Sequence, residues 1–318
     1  MFARKLISSL ISSKCSSSSI QSIRLLSEKT SPDAKRLIAV LQLNSGSDRE
    51  ANHRASERLI REAASYGCSM AFLPENFDAM NFTKEDVTAS LEPIDGPMIN
   101  RYRDLARSLN IWLSLGGFHE KPKNNDDGRK LNTHLMINNE GDIVSVYRKI
   151  HPFNVDAPGN ARVIESAICI AGDELVPPVD TPIGKVGLGI CYDIRFAELG
   201  IALAKAGADV LTYPSAYSLI NGSAIWEPVL RCRALENQCF VVGACQTGYH
   251  NSKRTSWGHS MVVDPRGSII AQVGEDVGLA VAVIDPAVQA QARILLPNLN
   301  DRRPDVYGEV ITPKLKQN

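Results

Sequence analysis

The stretch KVGLGICYDIRFAELG, residues 185–200, contains the change of pattern that decides the fold. It begins with the apolar run VGLGI, which is typical of a strand buried on both faces, and it ends in RFAELG, which starts a helical pattern. Cys191 lies at the junction and is followed by Tyr192, Asp193 and Arg195. A strand that leads into a helix is the repeating unit of α/β proteins, so this stretch predicts that class.

The same alternation extends along the chain in both directions. Short apolar runs such as RLIAVLQLN (residues 36–44) and DVLTYPSA (209–216) are typical of strands. Longer stretches with helical periodicity, such as SDREANHRASERLIREAASYG (47–67), lie between them. Turn residues at 139–142 and 264–267 predict two hairpins. Because many strands are apolar on both faces, we expect sheets that are covered by helices.

Composition limits the class of protein and its partners. The chain has 318 residues, 44% hydrophobic, and its 35 basic residues balance 35 acidic ones. A net charge of zero gives no indication of a nucleic acid or a membrane surface as partner. Seven scattered cysteines do not indicate a disulfide framework, and six histidines without metal-ligand spacing predict neither a metal nor another cofactor.

The first 27 residues differ from the rest of the chain. They are rich in serine, contain four basic residues and have no acidic residue before Glu28. A basic, serine-rich and acid-poor start is typical of a mitochondrial transit peptide, although a disordered tail without an address would have the same composition. We therefore expect a leader at residues 1–35, one domain at 36–310 and a tail at 311–318, with the protein in mitochondria and a cytoplasmic pool left open.

Three predicted strands end in reactive side chains. MAFLP leads to Glu75, IVSVYR leads to Lys149, and GLGI leads to Cys191. Functional residues gather at the carboxyl ends of strands in α/β sheets. A cysteine can attack a carbonyl as its thiolate, a glutamate can take the thiol proton and later activate water, and a lysine can stabilise an oxyanion. We expect a helix start after Cys191 and the nearby lysine to favour the thiolate.

Each of these residues also has a structural explanation. A cysteine at the end of an apolar strand is often a small core residue. Glu75 could be a loop carboxylate or a helix cap, and Lys149 could be solvated beside Arg148. The residues alone leave both readings open, although the placement of all three at strand ends favours a reactive site.

Three blocks of the sequence resemble the signatures of the nitrilase superfamily of carbon–nitrogen hydrolases. They are FLPE (72–75), YRKIHPF (147–153) and ICYDIRFAEL (190–199). The resemblance extends from about residue 37 to 308 and is strongest to the Nit branch, the deaminated glutathione amidases. It implies a four-layer αββα sandwich of the nitrilase type and self-association into dimers or larger assemblies. It also implies that Glu75, Lys149 and Cys191 are catalytic.

The resemblance implies a fourth catalytic residue, and the pattern suggests further contacts. Glu165 stands in an ES pair sixteen positions after Lys149, where related amidases have a glutamate that orients the lysine. The alternative is an exposed glutamate in a loop. We expect the backbone N–H of Tyr192 to face the oxyanion.

Arginines near the predicted pocket are candidates for binding an anionic substrate. They are Arg195, Arg231 and Arg233. The last two could equally be helix-surface charges that pair with Glu227 or Glu236.

Four positions depart from the pattern that the resemblance leads us to expect. Ala197 stands where proline is usual and where the ω-amidase branch has alanine, Pro152 replaces leucine, Ile225 replaces histidine, and Asn76 replaces alanine or cysteine. None of these changes removes a catalytic group, but they leave the shape of the substrate pocket open.

The favoured hypothesis is an amidase that hydrolyses a small-molecule amide, deaminated glutathione, to 2-oxoglutarate and cysteinylglycine through a thioester on Cys191. One alternative is an ω-amidase that acts on 2-oxoglutaramate, and another is a binding or signalling protein that has lost turnover. Some relatives carry a fused Fhit domain. No two histidines of this chain stand two apart, so we expect no fused Fhit domain here.

Overall fold

The computed structural model describes residues 36–80, 83–123, 127–156, 162–252, 254–309 and 313–315. The predicted leader at residues 1–35 lies outside the described residues, as does most of the predicted tail at 311–318.

The described residues form strands and helices in alternation. The strands are β1 Leu37–Gln42, β2 Met70–Leu73, β3 Trp112–Glu120, β4 Lys130–Ile137, β5 Ile143–Arg148, β6 Asn154–Val155, β7 Val163–Ile164, β8 Cys169–Ile170, β9 Val179–Thr181, β10 Gly184–Leu188, β11 Val210–Thr212, β12 Phe240–Gly243, β13 Thr247–Asn251, β14 Arg254–Trp257, β15 Met261–Val263, β16 Ile269–Gln272 and β17 Gly278–Val283. The α-helices are α1 Arg49–Ser65, α2 Lys84–Ser90, α3 Pro97–Leu109, α4 Ala197–Lys205, α5 Leu219–Asn237, α6 Pro286–Leu295 and α7 Pro304–Tyr307. Short 3-10 helices span Glu165–Ala167 and Cys191–Arg195.

Two larger sheets carry most of the strands. The first has the order β17-β1-β2-β3-β4-β5, with β8 added beside β4. Its strands β1, β2 and β3 run parallel, and β17 closes the edge antiparallel to β1. The second sheet has the order β16-β15-β12-β11-β10-β9, with β10, β11 and β12 parallel. Two short hairpins, β6–β7 and β13–β14, lie outside both sheets.

The strands of the first sheet bury side chains on both faces. On β1, Ile38 and Val40 belong to the core shared with the second sheet, where Leu188 and Val242 also lie. Ala39 and Leu41 belong to a separate core with α1 and α3. This alternation follows from the two-residue period of a strand.

The second sheet is covered on its other face by α4 and α5. Leu203 of α4 and Leu230 of α5 pack in one core with Leu211 and Val241 of the sheet. The layers are therefore helix, sheet, sheet and helix, which confirms the predicted four-layer αββα sandwich.

Two details differ from the reading of the sequence. The hairpin predicted around 264–267 is formed by β15 and β16 alone, and the preceding residues 254–257 form β14, which pairs with β13. The helix expected directly after Cys191 begins only at Ala197, because a 3-10 helix separates it from the strand. The two hairpins predicted at 139–142 and 264–267 are confirmed.

Candidate active site

The ends of three strands bring the predicted reactive groups together. Glu75 lies two residues after β2, Lys149 follows β5 directly, and Cys191 lies three residues after β10. The Lys149 ammonium donates to Glu75 Oε1 at 3.0 Å and to Glu165 Oε2 at 2.9 Å. Lys149 and Glu75 are 2% and 3% exposed, so their charges meet almost entirely out of water.

Glu165 joins this cluster from the 3-10 helix Glu165–Ala167. Its Oε1 also accepts from Lys149 Nζ at 3.2 Å, and its Oε2 accepts from the backbone N–H of Phe153 at 2.6 Å. The latter bond ties the carboxylate to the loop that follows Lys149. Glu165 is therefore a partner of the ammonium rather than an exposed loop residue.

The backbone at Cys191 is turned toward the cluster by an uncommon conformation. Cys191 has φ 47°, in the left-handed region that costs a non-glycine residue about 1 kcal/mol or more. Its N–H donates to the Pro214 carbonyl at 2.8 Å and is therefore not free to bind an oxyanion. Tyr192 contributes the next N–H of the 3-10 helix, where the first N–H groups have no acceptor within the helix.

Asp193 connects the turn at Cys191 to the loop that follows Lys149. Its Oδ2 accepts from the Ile190 N–H at 2.9 Å and from the Tyr147 hydroxyl at 2.7 Å. Its Oδ1 lies 2.7 Å from His151 Nδ1. Because His151 lies two residues after Lys149, this buried carboxylate fixes the position of Cys191 relative to the ammonium.

Asn132 is a residue of the site that the sequence analysis missed. Its Nδ2 donates to Glu75 Oε1 at 2.9 Å and to Glu165 Oε1 at 3.3 Å, so one amide holds both carboxylates. The backbone carbonyl of Asn132 accepts from the backbone N–H of Lys149 at 2.9 Å. The signal was the run of polar residues Asn132, Thr133 and His134 inside β4, all of them buried, in a strand that pairs with the strand that leads to Lys149.

The charges of the cluster determine its resting protonation state. Burial alone would raise the pKa of Glu75, but the Lys149 ammonium and hydrogen bonds from Lys149, Cys191 and Asn132 lower it. Burial alone would lower the pKa of Lys149, but the carboxylates of Glu165 and Glu75 raise it well above its usual range. The pair is therefore a carboxylate and an ammonium at neutral pH.

The Cys191 thiol behaves differently from the expectation of a stabilised thiolate. Burial and the Glu75 carboxylate raise the pKa of Cys191 well above its usual range, against the opposing effect of Lys149. The helical segment at Cys191 is only a 3-10 helix of five residues, Cys191–Arg195, so its dipole is small. The resting site therefore holds a neutral thiol beside an ionised base.

The predicted substrate-binding arginines lie in different places. Arg195 is exposed and lies against Tyr217, whose ring also lies near Cys191. The structure therefore brings Arg195 to the neighbourhood of the thiol.

Arg231 and Arg233 are bound to other partners. Arg231 donates to the Gly267 carbonyl at 2.8 Å and pairs with Glu227 at 3.1 Å. Arg233 donates to the Ile194 carbonyl at 2.8 Å and pairs with Glu236 at 2.7 Å. The partners are those of the alternative, Glu227 and Glu236, although Arg233 is buried rather than a helix-surface charge. The structure therefore does not bring these two guanidinium groups together with the Lys149 cluster, and their role in substrate binding stays a prediction.

Over the part of the chain that the structure describes, no three His, Cys, Asp or Glu side chains are grouped so that they could hold a metal ion. Over the same residues, every helix falls short of the length and apolarity that a membrane span requires. The absence of a cofactor remains a prediction.

Comparison with known proteins gives concordant results. A family model described as carbon–nitrogen hydrolase matches residues 37–294. The chain is 46% identical over 292 residues to the deaminated glutathione amidase of Bos taurus, covering 92% of this chain and 89% of that protein. It is also 46% identical over 278 residues to the deaminated glutathione amidase of Homo sapiens, covering 87% and 85%.

A solved structure shows the same fold. The crystal structure of the C. elegans NitFhit protein is 45% identical and superposes with a TM-score of 0.83, covering 89% of this chain and 68% of that chain.

Proposed function

The chain belongs to the carbon–nitrogen hydrolase family, and on that premise we propose that it hydrolyses the amide of deaminated glutathione to 2-oxoglutarate and cysteinylglycine. The proposal is supported by relatives that carry that activity in their names at 46% identity over most of both chains. The observation that carries the chemistry is the buried contact of Lys149 with Glu75 and Glu165, together with the hydrogen bond between the side chains of Cys191 and Glu75.

The first half of the reaction transfers the acyl group to Cys191. The Glu75 carboxylate takes the thiol proton as the sulfur attacks the amide carbonyl carbon, and a tetrahedral oxyanion forms. The C–N bond then breaks, and Glu75 returns the proton to the departing nitrogen, so that cysteinylglycine leaves as a neutral amine. A thioester between Cys191 and the 2-oxoglutaryl group remains.

The second half releases the acid by the reverse use of the same groups. Glu75, again ionised, takes a proton from a water molecule, and the hydroxide attacks the thioester carbonyl. The Cys191–acyl bond breaks, the sulfur regains the proton from Glu75, and 2-oxoglutarate leaves. Atoms and charges balance without a cofactor.

The oxyanion of both steps needs donors that are already oriented. Lys149 Nζ is fixed by three contacts with carboxylate oxygens, and the Tyr192 N–H is the second N–H group of the 3-10 helix that begins at Cys191. Preorganised donors in a desolvated site lower the barrier most effectively. Asn132 and Glu165 hold the Lys149 ammonium and the Glu75 carboxylate in fixed positions relative to each other.

The carboxylate of the substrate needs a cation near the thiol. Arg195 is the candidate, because it lies against Tyr217 near Cys191 and because a guanidinium suits a carboxylate geometrically. The exposed position of Arg195 is consistent with a substrate that enters from solvent.

The proposal is tested by kcat/KM of the purified full chain for deaminated glutathione and for 2-oxoglutaramate, with Cys191→Ala as the control for contaminating activity. We expect deaminated glutathione to be the better substrate. A preference of about tenfold or more for 2-oxoglutaramate, equivalent to about 1.4 kcal/mol, would identify an ω-amidase instead. No turnover of either amide would favour a binding protein.

We also propose that residues 1–35 direct import into mitochondria and that the protein self-associates. Support for import is the basic, serine-rich and acid-poor composition of the leader. Import is tested by fusing residues 1–35 to a fluorescent reporter, and an even cytosolic distribution would contradict it.

Self-association rests on the resemblance and is tested by light scattering of the purified chain, where a monomer would contradict it.

A further inference from the structure

A network of buried polar side chains, which the proposed mechanism does not use, reaches the residue next to Glu75. It runs from Asp78 through His119 and Lys130 to Asn76, the residue directly after Glu75. Asp78 and His119 are each 1% exposed and Lys130 is 4% exposed. Buried charges of this kind are costly and need fully matched partners.

The distances fix the protonation of each group. Lys130 Nζ lies 2.9 Å from His119 Nε2, and an ammonium can only donate, so Nε2 must accept. The imidazole proton is then on Nδ1, which donates to Asp78 Oδ1 at 2.8 Å. Burial lowers the pKa of His119, in agreement with a neutral ring. The Asp78 carboxylate, which also lies 3.9 Å from the Arg49 guanidinium, therefore holds Lys130 through a neutral histidine.

Asn76, at the other end of this network, has an unfavourable backbone conformation. Asn76 has φ 57°, in the left-handed region, and its Oδ1 accepts from Lys130 Nζ at 3.0 Å. Its N–H donates to the Gly117 carbonyl at 3.1 Å, while Gln246 Nε2 donates to the Glu75 carbonyl at 3.0 Å. The turn that presents Glu75 is thus bound from three sides, and Lys130 contributes the only one of these three bonds that comes from a charged group.

We propose that Lys130 is a positioning residue for the catalytic base: anchored by Asp78 through His119, it fixes Asn76 and thereby the direction of the Glu75 side chain toward Cys191. The inference rests on the proposed function, since it assigns Glu75 the role of base. Its importance follows from geometry, because a displacement of a reacting group by about 1 Å can reduce turnover about 100-fold.

Two residues can be changed separately and together. Lys130→Met removes the donor, and Asn76→Gly removes the acceptor while tolerating the left-handed φ. Lys130→Gln removes the charge but keeps an N–H donor for Asn76. Lys185→Met is the matched control, because Lys185 has a half-exposed side chain at the start of β10.

The first measurement is kcat and KM for deaminated glutathione, with the folded fraction checked by circular dichroism. Lys130→Met should lower kcat about 10- to 100-fold while KM changes by less than about threefold, and Lys130→Gln should recover part of the loss. The double variant Lys130→Met/Asn76→Gly should have a kcat no lower than that of Lys130→Met alone, because each change breaks the same contact, the one between Lys130 and Asn76. Losses that multiply, or a kcat within about twofold of wild type for Lys130→Met, would overturn the proposal.

The second measurement is the rate of alkylation of Cys191 by iodoacetamide, followed on the Cys191 peptide by mass spectrometry. The rate depends on Glu75 as acceptor of the thiol proton, so it should fall in Lys130→Met and Asn76→Gly and stay unchanged in Lys185→Met. This readout needs no amide substrate. If the wild-type chain fails to hydrolyse deaminated glutathione, the proposed function is wrong, while an unchanged alkylation rate in Lys130→Met would overturn the positioning role alone.

Discussion

Replacing Lys149 by methionine is the sharpest perturbation of the buried charge cluster. The Lys149 ammonium makes contacts of 2.9, 3.0 and 3.2 Å with carboxylate oxygens, and its side chain is 2% exposed. Without it, the Glu75 carboxylate is left beside Glu165 with no cation. Removing one partner of a buried ion pair destabilises a protein by about 3–5 kcal/mol, so we expect a loss of that size at pH 8.

The pH dependence of this loss identifies its cause. In the wild-type protein the pKa of Glu75 is lowered, so its contribution to stability is fully present above the unfolded value of about 4.3 and is lost only below it. In Lys149→Met, burial and Glu165 raise the pKa of Glu75 above the unfolded value. The free energy of unfolding of the variant should therefore increase as pH falls from about 8 to 5.5, whereas the Glu75 contribution in the wild type stays constant.

Urea denaturation followed by circular dichroism at both pH values measures these free energies. Lys149→Met/Glu75→Gln should regain about 1 kcal/mol or more of the loss at pH 8, because it removes one of the two unpaired carboxylates. Lys185→Met should stay within about 0.5 kcal/mol of the wild type. A loss below about 1 kcal/mol for Lys149→Met, or the same pH response as the wild type, would refute the reasoning.

Three further outcomes follow from the site. Cys191→Ala should abolish amide hydrolysis while thermal denaturation shows a folded protein, since only the nucleophile is removed; retained hydrolysis would exclude the mechanism. The pH profile of kcat/KM should be level from about pH 5 to 8 and fall only below about 4.3, because the pKa of the base Glu75 is lowered and the base must be ionised; an acidic limb near neutral pH would contradict this assignment. Arg195→Gln should reduce kcat/KM for deaminated glutathione about tenfold, as for the loss of one charge-assisted hydrogen bond, while Arg231→Gln should leave it unchanged; the reverse result would mean that the wrong arginine was chosen.

The sequence allowed the architecture and the gathering of reactive groups to be predicted for a physical reason. Burial makes β2 and the second half of β10 continuously apolar, so the ends of these strands are visible in the sequence as the points where Glu75 and Cys191 appear. The order of strands in the two sheets brings those ends together. The resemblance to related amidases, which implied Glu165 sixteen positions after Lys149, similarly led to a pair whose Nζ and Oε2 atoms lie 2.9 Å apart.

Other features depend on tertiary packing and could not be derived from local pattern. Asn132 contacts both carboxylates only because β4 pairs with β5, and the local sequence does not distinguish Asn132 from the other polar residues of the same strand. Arg231 and Arg233 bind the carbonyl groups of Gly267 and Ile194, since the rotation of α5 about its axis decides where their side chains point. The neutral state of the Cys191 thiol results from desolvation, which sequence patterns do not report.

The central claim is that Cys191 carries the acyl group of the substrate during turnover. The most direct test is rapid acid quenching of the full chain during hydrolysis of deaminated glutathione, followed by mass spectrometry of its peptides. We predict a 2-oxoglutaryl group as a thioester on the Cys191 peptide, formed and lost at rates that match turnover. Hydrolysis without any adduct, or an adduct on one of the other six of the seven cysteines, would contradict the account.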